Sequence, residues 1–474
     1  MPVATMAGWA ADVIAELSVV AGGVVVLLYA LAARRGRQAG AAWIALATTA
    51  VALALTVPAL IEPGRLTFAG TYARDHAAAI ARVIVLLATA VTIVLSVPWF
   101  RRDSRHGEYY TLLLYSALGA MLLAGATSLS ELVVAMLLSS ATGFVLAAYH
   151  RRSSASAEAA IKYYLVGALA NGAMLMGVAL LYGLAGGTTL DRLPGLPPTA
   201  GPVAAVAVAL VMAGLMFKVG GVPVHVWVPD VAQGAPVPVA GFLLAVPKVG
   251  AFVFLARFVL ALPAQELGWA AMVAVGAAAT MTLGNLACLW QDDVRRLLGW
   301  SAVSQTGYGL MAVAALGRSD LAMVALLYFL VAYVPGNLAA FGVVTTLRGR
   351  TALADYPGLA DQHRAEAAAL ALSFLSFIGV PPLSGFVAKL LLFAVAIQAG
   401  FAWLAVFAAV NTVISIFYYV RVLAPVYFAA ATARMRTLGA AAASVTVASA
   451  AALVITGVLA QPLVAAFAAA APGR

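Results

Sequence analysis

Charged residues are scarce in this chain of 474 residues. Only 9% of it is Asp, Glu, Lys or Arg, whereas roughly a quarter of an average soluble protein is charged. Apolar residues make up 64% of the chain, and its mean hydropathy is +1.03. A soluble fold of this length cannot bury so much apolar surface, so that class is excluded. Repeated apolar runs of about 20 residues predict an all-α, polytopic membrane protein, because that length crosses the hydrocarbon of a bilayer.

Cysteine is almost absent as well. The single residue of this type, Cys288, excludes a disulfide within the chain and any cysteine-ligated metal or iron–sulfur site. The sequence also lacks a phosphate-binding loop, a dinucleotide-binding fingerprint, a metal-ligand cluster and a nucleophile elbow. We therefore expect no cofactor and no metal in this chain.

The apolar runs divide the chain into about fourteen predicted transmembrane spans. The first is not a cleaved signal peptide, because its arginines follow the apolar run instead of preceding it. The predicted spans are 8–33, 41–61, 77–99, 109–126, 129–149, 157–184, 202–228, 237–262, 267–290, 297–316, 319–346, 366–398, 401–428 and 438–465.

Arginine placement predicts the orientation of these spans. The loops that follow even-numbered spans, together with the C-terminus, hold five arginines, whereas the loops that follow odd-numbered spans hold fifteen. Because basic loops stay in the cytoplasm, both termini are predicted to lie outside. The net charge of +10 is then a topology signal, which argues against nucleic-acid binding. The arginines in the loops after even-numbered spans and at the C-terminus are Arg65, Arg74, Arg192, Arg318 and Arg474. Those in the loops after odd-numbered spans are Arg34, Arg35, Arg37, Arg101, Arg102, Arg105, Arg151, Arg152, Arg295, Arg296, Arg348, Arg350, Arg364, Arg434 and Arg436.

Lysine is distributed in the opposite way. The chain has only four, Lys162, Lys218, Lys248 and Lys389, and all of them fall within predicted spans. A buried lysine can lose its proton near neutral pH, whereas arginine stays charged. This segregation indicates positions where a charge is gained and lost. The alternative is that the ammonium reaches up to the head-group level, which is an equal alternative for Lys162, a few residues into its span, and suits the other three poorly.

Glycine and proline interrupt two of the lysine-bearing spans. The sequence Gly221–Val–Pro223 in span seven is repeated as Gly379–Val–Pro381 in span twelve. A second pair, "KYYLVGA" at 162–168 and "LYFLVAY" at 327–333, has a similar offset along the chain. Paired interruptions of this kind are typical of inverted repeats with broken helices, whose freed backbone groups lie beside water or protein. We therefore predict that spans seven and twelve are broken.

The remaining charged residues are weaker candidates for a functional site. Asp12 and Glu16 begin the first span, where solvated carboxylates are expected. Asp230 follows span seven and is expected to cap a helix. Two further aspartates adjoin two arginines in a short loop, where a solvated, paired turn is expected: Asp292 and Asp293, with Arg295 and Arg296.

Four long stretches carry a family signature. They read "FKVGGVPVHVWVPDVAQGAPVPVAGFLLAVPK" (217–248), "SAEAAIKYYLVGALANGAMLMGVALLYGLAG" (156–186), "GNLACLWQDDVRRLLGWSAVSQTGYGLM" (284–311) and "GVPPLSGFVAKLLLF" (379–393). The first resembles the antiporter-like subunits of proton-pumping NADH:quinone oxidoreductase, respiratory complex I. The other three resemble its N subunit. The L subunit is much longer, and the M subunit usually has a glutamate at the position of Lys389.

The resemblance, which extends from about 100 to 428, implies a chain that moves protons and carries no redox site of its own. In this family a central row of lysines and glutamates joins two half-channels across the membrane. Lys218, Lys248 and Lys389 match the lysines of the broken seventh, the eighth and the broken twelfth helices, and Lys162 matches the one that accompanies them from the sixth. His225 matches a histidine of the seventh-helix motif, for which a packed, hydrogen-bonded side chain is an equal alternative.

One residue of the family pattern is missing. The fifth-helix glutamate that pairs with the seventh-helix lysine is replaced by Leu137, counted back from the second stretch. Glu131 lies six residues earlier, nearer the outer end of the span, and is a poor substitute. Without that carboxylate, the ammonium of Lys218 lacks its counter-charge. Ser139 or Ser140 would be a partial, uncharged substitute.

The resemblance also implies an organisation and a setting. We expect an N-terminal three-helix segment (1–108), two antiporter-like repeats (109–262 and 267–428) and a C-terminal helix (429–474). The expected setting is the bacterial cytoplasmic (inner) membrane, with lipid and the other membrane-arm subunits as partners. The alternatives are a cation/proton antiporter or membrane-bound hydrogenase component, and a scaffold subunit that does not pump.

Overall fold

The structure, a computed structural model, describes residues 6–101, 103, 106–150, 152–196, 201–263, 268–431 and 434–468. Four of the arginines used for orientation lie outside these residues (Arg102, Arg105, Arg151 and Arg474), as do the predicted start of the second repeat at 267 and both chain ends. The described α-helices are α1 (Met6–Asp12), α2 (Ile14–Ala32), α3 (Gly40–Thr56), α4 (His76–Trp99), α5 (Gly107–Gly125), α6 (Leu129–Ala147), α7 (Ser154–Ala185), α8 (Gly201–Val219), α9 (Trp227–Gly234), α10 (Val237–Ala261), α11 (Trp269–Cys288), α12 (Val294–Ala315), α13 (Ala322–Thr346), α14 (Leu359–Gln362), α15 (Arg364–Ile378), α16 (Ser384–Gln398), α17 (Ala402–Phe428), α18 (Ala440–Val458) and α19 (Ala460–Phe467).

Eleven of the described helices are long and apolar enough to cross a membrane: α2, α3 with the short 3-10 turn that follows it, α4, α6, α7, α8, α10, α11, α13, α17 and α18. The all-α, polytopic membrane fold predicted from the apolar runs is thus confirmed. Three other predicted spans correspond to α5, α12 and the pair α15–α16, which are shorter or less apolar. The total of fourteen spans stays a prediction.

Helix boundaries differ from the predicted ones where the backbone bends. The first predicted span is divided at Val13, so that α1 and α2 are separate helices. The last is divided at Leu459, and Pro462 lies in the first turn of α19. Because proline has no N–H to donate, α18 cannot continue through Pro462 with a complete hydrogen-bond ladder.

The segment between α3 and α4 contains the only strands in the part of the chain that the structure describes. Strand β1 (Arg65–Thr67) pairs antiparallel with β2 (Tyr72–Arg74). Thr71 in the intervening turn donates its hydroxyl to Glu131 Oε1 at 2.7 Å. This small hairpin covers one end of α5 and α6.

The loops form two groups at opposite ends of the helices. The arginine-rich face is composed of the described residues 33–39, 100–101, 103, 106, 148–150, 152–153, 289–293, 347–363, 429–431 and 434–439. On this face, Arg348 donates to Trp99 O at 2.8 Å and Trp99 Nε1 donates to His150 Nε2 at 3.3 Å. On the opposite face, Thr127 N donates to Thr71 O at 2.8 Å. The loops that follow odd-numbered spans therefore meet at one end of the bundle, as the alternation of arginines predicts.

Helices α10 and α13 form the centre of the bundle. Nearly all of their side chains are buried, whereas only about a third of the residues of α2, α7 and α18 are buried. A lysine on α10 is therefore surrounded by protein on all sides. This arrangement positions the candidate site.

Two expectations for acidic residues are wrong. Asp12 and Glu16 are buried, not solvated, because Asp12 pairs with Arg65 and Glu16 pairs with Arg82. Asp230 does not cap a helix: it lies inside α9 and forms ion pairs with Lys162 and Arg296.

The predicted aspartate turn is confirmed in part. Asp293 accepts from the backbone amides of Arg295 and Arg296, which caps α12, and it pairs with the side chain of Arg295. Asp292 pairs instead with Arg421 of α17.

Candidate functional site

Three of the four lysines are buried inside the bundle. Lys218 and Lys248 are each 1% exposed, and Lys389 is 7% exposed. None of the ion pairs among the described residues involves any of the three. Each ammonium instead contacts neutral oxygens, which stabilise the charge only in part because desolvation penalises a buried ammonium.

Lys218 lies in the last turn of α8. Its Nζ donates to Ser140 Oγ of α6 at 3.2 Å, so one of the two expected hydroxyls is its partner. The neighbouring Ser139 hydroxyl is buried without a hydrogen bond among the described residues. α8 ends one residue later, at Val219, and helix resumes at Trp227.

Lys248 lies in the middle of α10 and is held by α12. Its Nζ donates to Thr306 Oγ1 at 2.9 Å and to Ala302 O at 3.0 Å, and it lies 5.6 Å from the ring centroid of Tyr333. Gly220, with φ of +78°, lies beside this lysine: a Cβ there would make an ordinary contact with Nζ at 3.5 Å but would clash with a methyl group of Val228 at 2.8 Å.

Lys389 lies on α16, after the interruption that separates α15 from α16. Its Nζ donates to Ile378 O, the last residue of α15, and to Thr412 Oγ1 of α17, both at 3.0 Å. The ring of Tyr308 lies 4.4 Å away. Gly379, with φ of +94°, leaves room for the lysine stem, because a Cβ there would lie 3.0 Å from Lys389 Cδ.

A small cavity lies between the surroundings of Lys248 and Lys389. Its volume is about 10 Å³, close to the space that one water molecule needs. Tyr333, which contacts Lys248, and Tyr308, which contacts Lys389, both line it, together with Gln305 and Lys389 itself. The two lysine environments are thus neighbours, with polar groups between them.

Lys162 is not part of the buried group. Its side chain is 45% exposed, and its Nζ lies 2.7 Å from Glu158 Oε1 and 3.2 Å from Asp230 Oδ2. These residues line a cavity of about 490 Å³ at the arginine-rich face, which Arg295 and Arg296 also line.

His225 lies in the interrupted segment between α8 and α9. It is 6% exposed, and its ring packs against Trp300 with the centroids 5.6 Å apart. Its Nδ1 has no hydrogen-bond partner among the described residues. The packing agrees with the structural alternative, but the expected hydrogen bond to the ring is not seen at Nδ1.

Leu137 lies on the same helix as the partner of Lys218, α6, but on its outer side. Its side chain is 46% exposed, whereas Ser140, one turn further on, is buried. Glu131 lies near the end of the bundle opposite the arginine-rich face, where it accepts a hydrogen bond from Thr71. A carboxylate at 137 would therefore stand at the edge of the bundle, one helical turn from Ser140.

Sequence reasoning missed the neutral groups of the site. Thr306, Thr412, Tyr308 and Tyr333 contact the lysines, yet each is an ordinary residue of an apolar span. The only signal is that α12 is unusually polar for a buried helix, with "SAVSQTGY" at 301–308. Which of its residues meet a lysine depends on packing against other helices.

Comparisons with known proteins agree with this fold. Residues 126–415 match the family model described as "NADH:quinone oxidoreductase/Mrp antiporter, TM". "NADH-quinone oxidoreductase subunit N" of Mycobacterium sp. (strain JLS) is 42% identical over 416 residues, which cover 87% of this chain and 88% of that protein.

Two solved structures share the fold. A chain of "Respiratory complex I from Thermus thermophilus with bound Aureothin" is 31% identical, with a TM-score of 0.84, and covers 96% of this chain and 99% of that one. A chain of the Mrp complex from Dietzia sp. has a TM-score of 0.87 and covers 98% of this chain and 97% of that one, but at 21% identity it shows the fold alone.

The fold is therefore that of the antiporter-like membrane subunits. More narrowly, the chain belongs to the NADH-quinone oxidoreductase subunit N family. Members of this family are subunits of an oxidoreductase complex.

Proposed function

We propose that this chain translocates protons in the membrane arm of a complex I-type NADH:quinone oxidoreductase, along an axis of Lys218, Lys248 and Lys389. The observation that carries the proposal is the burial of three lysines whose ammonium groups contact only hydroxyl, carbonyl and aromatic groups. Burial in the absence of a carboxylate makes each charge easy to lose, which is what a group that passes protons requires.

The two helix interruptions support the same function. Lys248 lies against Gly220 and Lys389 lies against Gly379, so each interruption is next to a lysine. Backbone carbonyls freed at membrane depth are tolerated beside protein or water, and they can accept hydrogen bonds from ammonium groups and from water. The parallel supports two antiporter-like repeats, 109–262 and 267–428, between the segment 1–108 and the helix in 429–474.

The cavity beside Lys162 fits the entrance of this path. It lies at the arginine-rich face, which we assign to the cytoplasm, and both termini then lie outside. Glu158, Lys162 and Asp230 would exchange protons with water there, and His225 would take part in their transfer toward Lys218.

The setting follows from the family. The chain would lie in a bacterial inner membrane, in contact with other membrane-arm subunits, and the redox centres would belong to those partners. In this chain Leu137 replaces the glutamate that would otherwise offer a carboxylate to Lys218. The exposed side of α6 is where a neighbouring subunit would meet it.

The test is Lys218→Met in the assembled complex. The number of protons translocated per electron should fall, while NADH oxidation and subunit composition stay unchanged, because methionine fills the space of lysine without carrying a proton. The measurement is proton uptake into membrane vesicles during a known quantity of NADH oxidation. Thr345→Val is the matched control, since Thr345 is buried and its hydroxyl bonds only to Phe341 O of its own helix.

An unchanged ratio in a correctly assembled Lys218→Met complex would contradict proton transfer through this axis. It would favour the scaffold alternative, for which the replacement of the glutamate by Leu137 is the supporting observation. A ratio that falls equally in the Thr345→Val control would point to a general packing defect.

A further inference from the structure

We infer that Thr306 transmits the protonation state of Lys248 to the end of helix α8, beside Lys218. Thr306 would act as a positioning residue, and its role in pumping rests on the proposed function. Its hydroxyl lies between the lysine ammonium and the backbone of the interrupted helix, and no other described side chain joins the two groups in this way.

The hydroxyl of Thr306 has three close oxygen and nitrogen neighbours. Lys248 Nζ lies 2.9 Å away, Val219 O 2.6 Å away and Ala302 O 3.0 Å away. A hydroxyl has one proton to donate and two lone pairs with which to accept. It can therefore donate to only one of these neighbours at a time.

The charge on Lys248 decides which neighbour receives that proton. An ammonium has three donors and no acceptor, so the hydroxyl must accept from it and turn its own proton toward a carbonyl, of which Val219 O is the closer. A neutral amine has a lone pair. The hydroxyl can then donate to Nζ, and Val219 O loses its donor.

Val219 is the last residue of α8, where carbonyls lack partners within the helix. The amides that follow it are already used, because Gly220 N donates to Phe217 O and Gly221 N donates to Met216 O. The bond from Thr306 is thus the one side-chain contact that holds this carbonyl in the described structure. Its loss loosens the turn that carries Lys218.

The second half of the chain has a different arrangement at the equivalent place. There Lys389 Nζ donates directly to Ile378 O, the last carbonyl of α15, and also to Thr412 Oγ1. The lysine itself contacts the interrupted helix. In the first half the contact passes through a hydroxyl, which connects the lysine of one helix to the turn that bears another lysine.

The test is a double-mutant cycle on the assembled complex, with Lys248→Met, Thr306→Val and the two together. Hydrogen exchange of the backbone amides at 215–222 is measured by mass spectrometry. Methionine at 248 offers the Thr306 hydroxyl no acceptor, so the bond to Val219 O is kept, as it is with the ammonium. With Thr306 present, Lys248→Met should therefore slow exchange by about fivefold relative to wild type with a neutral Lys248, the factor that corresponds to about 1 kcal/mol for one hydrogen bond. In the Thr306→Val background, that change should disappear.

Equal changes in the two backgrounds would overturn the inference, since Lys248 would then act on α8 without Thr306. Thr306→Ser, which keeps the hydroxyl, should retain the coupling, and Thr345→Val should leave it unaltered. If the valine variant does not assemble, Thr306→Ala takes its place in the cycle. A purely structural role for Thr306 would give additive effects.

The same variants separate this inference from the proposed function. Proton translocation per electron should fall in Thr306→Val and recover in Thr306→Ser. A coupled exchange cycle together with normal translocation in Lys218→Met would leave the link intact and reject the pumping role. Normal translocation in Thr306→Val, when Lys218→Met is impaired, would reject the role of the link in pumping.

Discussion

Removal of one member of the buried pair of Glu16 and Arg82 should strongly destabilise the N-terminal helices. Arg82 Nε lies 2.6 Å from Glu16 Oε1, and the hydroxyl of Tyr72 donates to the same oxygen at 2.7 Å. The side chains are 2% and 4% exposed. The pair joins α2, β2 and α4 at a place where no water competes for the charges.

Two single substitutions and their combination measure this contribution. Glu16→Leu removes the paired carboxylate from the buried guanidinium of Arg82. Arg82→Met removes the paired guanidinium from the buried carboxylate of Glu16. Each should lower the free energy of unfolding by about 3–5 kcal/mol, the usual cost of breaking a buried pair. The double variant removes both charges and leaves only the Tyr72 hydroxyl without its partner, at a cost of about 1–3 kcal/mol.

The assay is denaturant unfolding of the full chain in lipid bicelles, with wild type, both single variants and the double variant compared. The two single losses sum to about 6–10 kcal/mol, so the double variant should be more stable than that sum by at least about 3 kcal/mol. Additive losses would refute the reasoning, because they would mean that the two charges do not stabilise each other.

Three further outcomes are expected. Leu137→Glu should raise proton translocation per electron above Leu137→Gln, because only glutamate offers Lys218 a counter-charge; equal values would reject the unpaired lysine. Burial by itself raises the pKa of Asp75. The ion pair and hydrogen bond with Arg257, together with the hydrogen bond from Ala78 N, lower it by more than burial raises it, so the pKa of Asp75 lies below 3.8. The Asp75 carboxylate therefore stabilises the fold fully above pH 3.8, and this stabilisation is lost as the pH falls through the lowered pKa. Wild type and Asp75→Asn should differ in the free energy of unfolding at neutral pH and converge in acid. A difference that stays constant with pH would contradict this. A reporter fused to the C-terminus should be active outside the cytoplasm, and cytoplasmic activity would contradict the orientation.

Much of the architecture could be predicted from the sequence because a membrane restricts the choices. Apolar runs of about 20 residues must be helices, since backbone groups in lipid have to bond within the segment. Glycine and proline also indicated where helices would end: Gly220 and Gly379 adopt a positive φ, and α8 and α15 end one residue before them. That spans seven and twelve are broken helices stays a prediction. The four lysines also stood out by composition alone.

Ser140 was expected beside Lys218, but the other partners of those lysines could not be predicted. Ser140, Thr306 and Thr412 lie between 23 and 78 positions away from the lysines they contact, so their contacts depend on how α6, α12 and α17 pack. Local sequence does not encode that packing. The error at Glu16 has the same origin: the carboxylate near the start of a span looks solvated until Arg82, 66 positions later, is packed against it.

The sequence by itself thus determined the class of fold, set four lysines apart as candidate buried cations and indicated two places where a helix ends. These features depend on the solvent that each segment must occupy and on the backbone freedom of single residues. Only the tertiary structure decided that Lys389 contacts an interrupted helix directly, that Lys162 stays at the arginine-rich face, and that a single hydroxyl lies between Lys248 and the turn of Lys218. Such contacts join side chains from separate helices at distances near 3 Å, and that proximity exists only when the helices are packed.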